Sequence, residues 1–279
     1  MYVLLGTKGM LGSDVKQALI DHNIEFVAYD YPEIDVTKIE TMEDKIVEGV
    51  DVVINCTAYT AVDLAESNEE TCRAINAIGP KNIATLCQNV GAKLVQISTD
   101  FVFSGDKNGA YVETDTPNPC SVYGETKQEG DEYVMEIMDK YFILRTAYLF
   151  GLNGNNFIET MIKLSDKELL TVINDQVGSP TNTKDLAEAI VLVSQTDDYG
   201  IYHATSEGQA SWYEFAKYVF DKMNIEVNLQ PCSTEEYPTP AKRPHNSVLE
   251  NTHFKQNGVY SFPDWHIAVD KYLELRNER

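Results

Sequence analysis

An apolar run that leads directly into a glycine-rich turn constrains this chain more than any other part of its sequence. Tyr2 to Leu5 reads as a short strand, and Gly6, Gly9 and Gly12 follow it with the spacing G-x-x-G-x-x-G before apolar residues continue at helical spacing. Strand, glycine turn and helix together form the arrangement in which backbone N–H groups and a helix N-terminus receive a pyrophosphate. A tight β–α turn without a ligand fits the same spacing, so other residues must decide between the two.

The second apolar run favours the dinucleotide interpretation. Glu25 to Tyr29 reads as a strand that ends at Asp30. An acid about 20 residues after the glycine turn is where a carboxylate binds the adenosine ribose 2′-hydroxyl. The turn and the acid together therefore indicate a dinucleotide site.

The same strand–helix alternation continues along the chain and predicts the fold class. Repeated βα units indicate an α/β fold with a doubly wound parallel sheet of the Rossmann type. The later predicted strands are Asp51–Asn55, Lys93–Ser98, Phe142–Thr146 and Gly200–Ala204, and the predicted helices between them include Ile39–Val47 and Glu69–Asn89.

Beyond residue 150 the pattern loosens and predicts a second, smaller part. We expect a dinucleotide-binding domain over 1–150 plus about 182–204, and a C-terminal substrate-binding α/β cap over 151–181 and 205–279. The ligand cleft should lie between them, because ligands of open α/β sheets bind at the carboxyl ends of the strands.

Composition excludes several classes of protein. The 279 residues carry a net charge of −22, which disfavours nucleic acid and anionic membranes as partners. We see no run of about eighteen apolar residues that would span a membrane, and the N-terminus reads as a strand rather than a signal. Five cysteines without C-x-x-C spacing predict free thiols in a cytoplasmic protein, and the five histidines show no zinc spacing, so no metal site is predicted.

The segment Tyr123-Gly124-Glu125-Thr126-Lys127 carries the strongest chemical signal. A tyrosine and a lysine four residues apart lie on one face of a helix. An ammonium group beside a phenol favours the phenolate, so Lys127 should lower the pKa of Tyr123 and prepare it for proton transfer. The alternative is an amphipathic pair with a packed tyrosine and a solvated lysine. Thr99, at the end of a predicted strand upstream, favours the catalytic interpretation.

The glycine turn, Thr99, Tyr123 and Lys127 resemble the extended short-chain dehydrogenase/reductases. Longer phrases are similar to those members of that family that reduce the 4-keto group of nucleotide-linked 6-deoxy sugars. These phrases are Ala58-Tyr59-Thr60-Ala61-Val62-Asp63, Ser98-Thr99-Asp100-Phe101-Val102-Phe103, Asn174-Asp175-Gln176-Val177-Gly178-Ser179-Pro180-Thr181 and Arg243-Pro244-His245-Asn246-Ser247-Val248-Leu249.

The resemblance implies an oxidoreductase that uses NADPH or NADH on a nucleotide sugar. Tyr123 would donate the proton to the substrate carbonyl. Lys127 would modulate the pKa of Tyr123 and hold the nicotinamide ribose, and Thr99 would orient the carbonyl. The residues implied for cofactor binding are Gly6, Lys8, Gly9, Met10, Leu11, Asp30, Asp35, Val36, Thr57, Ala58, Tyr59, Tyr123 and Lys127. The residues implied for substrate binding are Thr99, Asp100, Tyr148 and Arg243.

Two of the substrate residues have a plain structural alternative. Asp100 either touches the sugar or caps its own loop, and Arg243 either holds the pyrophosphate or forms a surface salt bridge in this acidic protein. The cofactor signals also oppose each other, because Lys8 suits a 2′-phosphate and Asp30 a ribose diol. Phe101 and Tyr148 depart from the tyrosine and tryptophan usual in relatives, but each keeps an aromatic wall.

Other activities fit the resemblance less well. A nucleotide-sugar 4,6-dehydratase would carry glutamate where Phe101 follows Thr99 and Asp100, and a 4-epimerase is a weaker rival. The alternative from another class is a non-catalytic module like the regulatory subunit of methionine adenosyltransferase, which the intact set of Thr99, Tyr123 and Lys127 disfavours. A monomer or a homodimer is expected, and the exact keto sugar and nucleotide stay open.

Overall fold

Short runs of buried apolar residues form the strands in the computed structural model, which describes residues 1–278. The strands are β1 (Tyr2–Leu5), β2 (Phe26–Tyr29), β3 (Val52–Asn55), β4 (Lys93–Thr99), β5 (Tyr141–Thr146), β6 (Leu149–Phe150), β7 (Leu170–Ile173), β8 (Val177–Gly178), β9 (Thr181–Asn182), β10 (Gly200–His203), β11 (Ala210–Ser211) and β12 (Leu229–Cys232). The helices are α1 (Met10–Asp21), α2 (Val62–Ala65), α3 (Glu69–Arg73), α4 (Gly79–Val90), α5 (Val122–Ile137), α6 (Phe157–Leu164), α7 (Thr183–Ser194), α8 (Trp212–Met223), α9 (Thr252–Asn257) and α10 (Trp265–Asn277).

Six of the strands form one parallel sheet in the order β10-β5-β4-β3-β1-β2. The order reverses beside β1, which pairs with β2 on one side and β3 on the other. A reversal of this kind opens a crevice at the carboxyl ends of the strands, where doubly wound sheets bind their ligands. The predicted fold class is confirmed, and the sheet places the glycine turn after β1 in that crevice.

Helices cover both faces of the sheet. On one face, Val15 and Leu19 of α1 pack with Ile190 of α7. On the other, Ile83 of α4 packs with Val134 of α5. Strands buried on both faces consist of nearly continuous apolar residues, as the sequence of β3 shows.

The prediction of a helix over Ile39–Val47 is wrong. The chain forms only a 3₁₀ turn, Ile39–Thr41, followed by irregular turns. The Thr41 hydroxyl donates to the carbonyl of Lys38 at 2.8 Å and accepts from the backbone N–H of Asp35 at 3.0 Å. Side-chain bonds of this type compete with helical backbone bonds and explain why the apolar spacing alone misled the prediction.

The helix predicted over Glu69–Asn89 is present but is not regular. α3 and α4 are joined through a π-helical turn, Ala74–Ile78. Pro80 has no backbone N–H to donate to the carbonyl of Asn76, so the regular bonding cannot continue across it. The wider turn places the buried side chain of Asn76 at the crevice.

The remaining elements build a smaller α/β part beside the sheet. β7 pairs with β12 and β8 with β11, and an aromatic core of Phe150, Phe215, Trp265 and Tyr272 joins α8 and α10. The predicted strand over Gly200–Ala204 forms β10, which returns the chain to the main sheet and pairs with β5. Phe254 of α9 also packs in the core of the main sheet, although it lies in the range predicted for the cap.

Candidate active site

The crevice beside β1 holds the glycine turn in a conformation that only glycine adopts easily. Gly6 has φ +87°, and a β-carbon added at Gly12 would lie 2.0 Å from the carbonyl oxygen of Gly6. Gly9 precedes α1, so the free N–H groups at the start of α1 face the crevice. The turn therefore has the close backbone approach that a pyrophosphate site needs.

A cavity of about 790 Å³ extends from this turn across the ends of β2 and β3. Seven of the predicted cofactor residues line it, namely Gly6, Gly9, Asp30, Asp35, Val36, Thr57 and Ala58. Three others do not line it: Met10 opens α1, the side chain of Leu11 packs in the core, and Tyr59 follows Ala58. The cavity fits a dinucleotide in the chemistry of its walls.

The loop after β3 is held by two asparagines. Asn55 accepts hydrogen bonds from the backbone N–H and the hydroxyl of Thr57, and Asn76 bonds both the N–H (2.8 Å) and the carbonyl (3.1 Å) of Tyr59. Sequence reasoning missed Asn76, because nothing in the spacing showed that a helix seventeen residues later turns a side chain back onto this loop.

Asp30 has a structural task in addition to its predicted one. Its carboxylate accepts from the Thr7 hydroxyl and, at 3.0 Å, from the backbone N–H of Lys8, so it also fixes the glycine turn. The ammonium of Lys8 lies at the same edge and donates to the carbonyl of Tyr31 at 3.3 Å. Lys8, which favours a 2′-phosphate, and Asp30, which favours a ribose diol, therefore lie together at one end of the cavity.

We expect Asp30→Ala to shift the ratio of kcat/KM toward NADPH, and Lys8→Ala to shift it away, each by about tenfold or 1.4 kcal/mol. A carboxylate repels a 2′-phosphate and an ammonium attracts it. Asp30→Asn is the matched control, since it removes the charge but keeps an acceptor for the glycine turn. If neither charge change alters the ratio, the adenosine ribose binds elsewhere.

The three predicted catalytic side chains meet at the end of β4. The Ser121 hydroxyl accepts from the backbone N–H of Gly124 and begins α5, which carries Tyr123 and Lys127. The hydroxyl of Thr99, the last residue of β4, lies close enough to the phenol of Tyr123 to favour its phenolate. α5 and the exit of β4 thus bring the three side chains to one region of the crevice.

The predicted lowering of the Tyr123 pKa is wrong. Burial raises the pKa of Tyr123 above its usual value, and the nearby carboxylate of Asp100 raises it further. The ammonium of Lys127 is only 3% exposed and donates to the carbonyl of Ile97 at 2.5 Å, and burial lowers its own pKa. Desolvation thus disfavours the phenolate, and Tyr123 is held as a neutral phenol.

A buried ionic cluster behind Lys127 was not predicted. Asp131, four residues further along α5, accepts from the Ser98 hydroxyl at 2.7 Å and lies 3.6 Å from Arg145. Asp131 and Arg145 are each 1% exposed. The negative charge of Asp131 raises the pKa of Lys127 and so opposes the effect of burial. The i, i+4 spacing from Lys127 was the available signal.

Asp100 is buried directly beside Thr99. Its carboxylate accepts from the Thr99 hydroxyl at 3.0 Å, and Ser247 of the C-terminal part lies near enough to lower its pKa. Burial raises the pKa of Asp100 to about 6. The residue therefore lies where the two parts of the chain meet, which neither of its predicted roles included.

The Asp100 carboxyl should make stability depend on pH. Its pKa rises from about 3.9 in the unfolded chain to about 6 in the fold, so its contribution to stability is full below pH 4 and is lost as the pH rises through 6. Asp100→Asn should therefore stabilise the protein at pH 7, by on the order of 1–3 kcal/mol, and much less at pH 4. Chemical denaturation at both pH values measures this difference, and a gain independent of pH would contradict it.

Aromatic rings form a wall next to these groups. Tyr148 has φ +47° and stacks on Trp212 with ring centroids 3.6 Å apart. Phe101 meets Tyr123 edge to face at 5.5 Å. Trp212 was missed as a site residue, because only the fold brings the start of α8 to the end of β5.

Arg243 is engaged in an ion pair. Its Nη1 and Nη2 donate to the two carboxylate oxygens of Asp63 at 2.9 Å each. The pair lies at one end of a cavity of about 410 Å³, together with Trp212 and apolar residues of α6 and β7. Arg243 thus forms a salt bridge, as one of the two alternatives proposed. The salt bridge lies in the cleft rather than on an outer surface.

The part of the chain over residues 1–278 contains no group of three or more His, Cys, Asp or Glu side chains placed to hold a metal ion. None of its helices is both long and apolar enough to cross a membrane.

Comparison with known proteins supports the chemistry of this site. A family model described as the RmlD substrate binding domain matches residues 1–277. A dTDP-4-dehydrorhamnose reductase of Escherichia coli (strain K12) is 36% identical, with 97% of this chain and 96% of the relative covered.

Two solved structures of the same name are similar over nearly their whole length. A dTDP-4-dehydrorhamnose reductase of Clostridium acetobutylicum is 42% identical with a TM-score of 0.95, covering 99% of each chain. One from Bacillus anthracis, in complex with NADP, is 38% identical with a TM-score of 0.93, covering 98% of each chain. The chain therefore belongs to the RmlD substrate binding domain family, in which these dTDP-4-dehydrorhamnose reductases are its relatives.

Proposed function

We propose that this protein reduces the 4-keto group of dTDP-4-dehydro-L-rhamnose with NADPH or NADH and releases dTDP-L-rhamnose, a precursor of cell-surface polysaccharide. The observation that carries the proposal is the meeting of Tyr123, Thr99 and Lys127 at the carboxyl end of β4, beside the dinucleotide cavity. The same three side chains disfavour a non-catalytic binding module, which would not need a proton donor.

The chemistry follows from the neutral phenol. A bound nicotinamide cofactor supplies a hydride to the carbonyl carbon. Tyr123 donates its phenolic proton to the carbonyl oxygen, and the hydroxyl of Thr99 orients that oxygen. The ammonium of Lys127 then stabilises the phenolate that remains. Phe101 stands where elimination would require a glutamate, which disfavours a 4,6-dehydratase.

We place the substrate between the two parts of the chain. The sugar lies against Tyr148 and Asp100, the pyrophosphate reaches Arg243, and the nucleoside enters the 410 Å³ cavity beside Trp212. In this proposal residues 1–150 and about 182–204 bind the cofactor, and residues 151–181 and 205–279 bind the substrate. Since all five cysteines are free, we further propose a cytoplasmic location. We also propose that the protein is a monomer or a homodimer.

Loss of NADPH or NADH absorbance with dTDP-4-dehydro-L-rhamnose tests the proposal. One nucleotide should be oxidised per keto sugar reduced, with the product identified by mass spectrometry. A binding module would consume neither the nicotinamide nucleotide nor the keto sugar. A dehydratase or an epimerase would show no net oxidation of NADPH or NADH. A panel of nucleotide 4-keto sugars would identify a reductase of a different sugar.

A further inference from the structure

The guanidinium of Arg243 is held from several sides. The carboxylate of Asp63 accepts hydrogen bonds from Nη1 and Nη2. Nη1 also donates to the Thr239 hydroxyl at 2.6 Å and to the carbonyl of Ala241 at 3.2 Å. Asp63 in addition accepts the backbone N–H of Ala241 at 3.2 Å. The side chains of Arg243 and Asp63 are 20% and 39% exposed, so the pair borders solvent in the cleft.

These contacts leave one edge of the guanidinium unused. A guanidinium offers five N–H donors on a planar fork, and a carboxylate occupies one pair of them. Within residues 1–278, Nε and the second hydrogen of Nη2 have no acceptor. A second pair of parallel donors, suited to a phosphate, is thus left on the edge that Asp63 does not use.

We propose that Asp63 is a positioning residue for the pyrophosphate of the nucleotide sugar: it clamps one edge of Arg243 so that the other edge meets the phosphates. This inference rests on the proposed function for its ligand. Asp63 lies on α2, and Glu66 at the end of α2 accepts the backbone N–H of Val122, the residue before Tyr123. α2 therefore connects the phosphate-binding edge to the helix of the proton donor.

Charge alone makes the opposite prediction. A carboxylate in the cleft of a protein with net charge −22 repels a pyrophosphate, so removing it would tighten binding. If Asp63 orients Arg243, removing the carboxylate weakens binding in spite of the lost repulsion. The sign of the change in affinity therefore separates the two roles.

The probe is thymidine 5′-diphosphate, titrated by calorimetry into Asp63→Asn, an isosteric change. We expect affinity to fall about tenfold, and KM for the nucleotide sugar to rise equally, while KM for NADPH stays the same. Asp270→Asn is the matched control, because Asp270 is 37% exposed and pairs with Lys222 at 2.7 Å in the α8–α10 region. It removes the same charge and should leave affinity unchanged.

Two further variants test whether Asp63 acts through Arg243. In an Arg243→Gln background, Asp63→Asn should cause no additional loss of affinity. Asp63→Glu keeps the charge but moves the clamp, so it should also weaken binding. Tighter or unchanged binding by Asp63→Asn, or an equal loss without Arg243, would overturn the proposal. Binding of the diphosphate does not need turnover, so a failure of the proposed reaction would be seen separately in the wild-type assay.

Discussion

Replacing Tyr123 with phenylalanine should lower kcat for the keto sugar by about 10²–10⁴-fold, the usual contribution of a positioned proton donor. The phenol is the acid that meets the Thr99 hydroxyl at the end of β4, and phenylalanine removes only its oxygen. The Phe101 ring would still pack edge to face on the new ring, so the fold should be retained. Steady-state kinetics with saturating NADPH measures the effect.

A matched control is available on the other face of the sheet. Tyr260 is also a phenol whose pKa is raised by burial, and it donates to Asp185 of α7 at 3.2 Å. Tyr260→Phe should leave kcat unchanged. Since burial raises the pKa of Tyr123, wild-type kcat for reduction should be flat through neutral pH and fall only at alkaline pH. Unimpaired turnover by Tyr123→Phe would refute its assignment as the donor.

The sequence predicted best those features that depend on neighbouring residues. The apolar runs that became β1, β3 and β5 are bounded by glycine or polar residues, and the pair of Tyr123 and Lys127 needs only the pitch of one helix. The apolar spacing over Ile39–Val47 wrongly predicted a helix, because the hydroxyl of Thr41 forms hydrogen bonds there that compete with helical backbone bonds.

Contacts between distant parts of the chain were not predictable in the same way. Asp63 and Arg243 are 180 residues apart, and Tyr148 meets Trp212 only because the start of α8 packs beside α6 and the end of β6. Asn76 reaches its loop through a π turn that Pro80 induces. Each depends on the packed fold, so no spacing in the sequence specified it.

The Tyr123 pKa shows why the electrostatics was the hardest part to predict. A spacing of four residues puts a lysine on the same helix face as the phenol, but it carries no information on burial. In the fold, desolvation acts on both groups, raising the pKa of Tyr123 and lowering that of Lys127. The lysine is therefore better understood as stabilising the phenolate formed after proton transfer than as creating it beforehand.

That distinction gives Lys127→Met a large expected effect. Methionine fills a similar volume but leaves a buried phenolate without its cation once the proton has left Tyr123. We expect kcat to fall by about 10²–10⁴-fold, comparable to the loss of the donor itself. Single-turnover measurements with bound NADPH would separate this loss of chemistry from weaker cofactor binding.

Lys93→Met is the appropriate control for that experiment. Lys93 begins β4, at the end of the strand opposite Thr99, and its ammonium donates to the carbonyl of Thr196 at 2.6 Å. Its loss removes a positive charge from the same strand without touching the phenol, so kcat should be retained. Asp131 favours the charged form of Lys127 and so opposes burial, which lowers the pKa of this lysine. If Lys127→Met reduced the keto sugar as fast as Lys93→Met, the phenolate would have to be stabilised by groups other than this lysine.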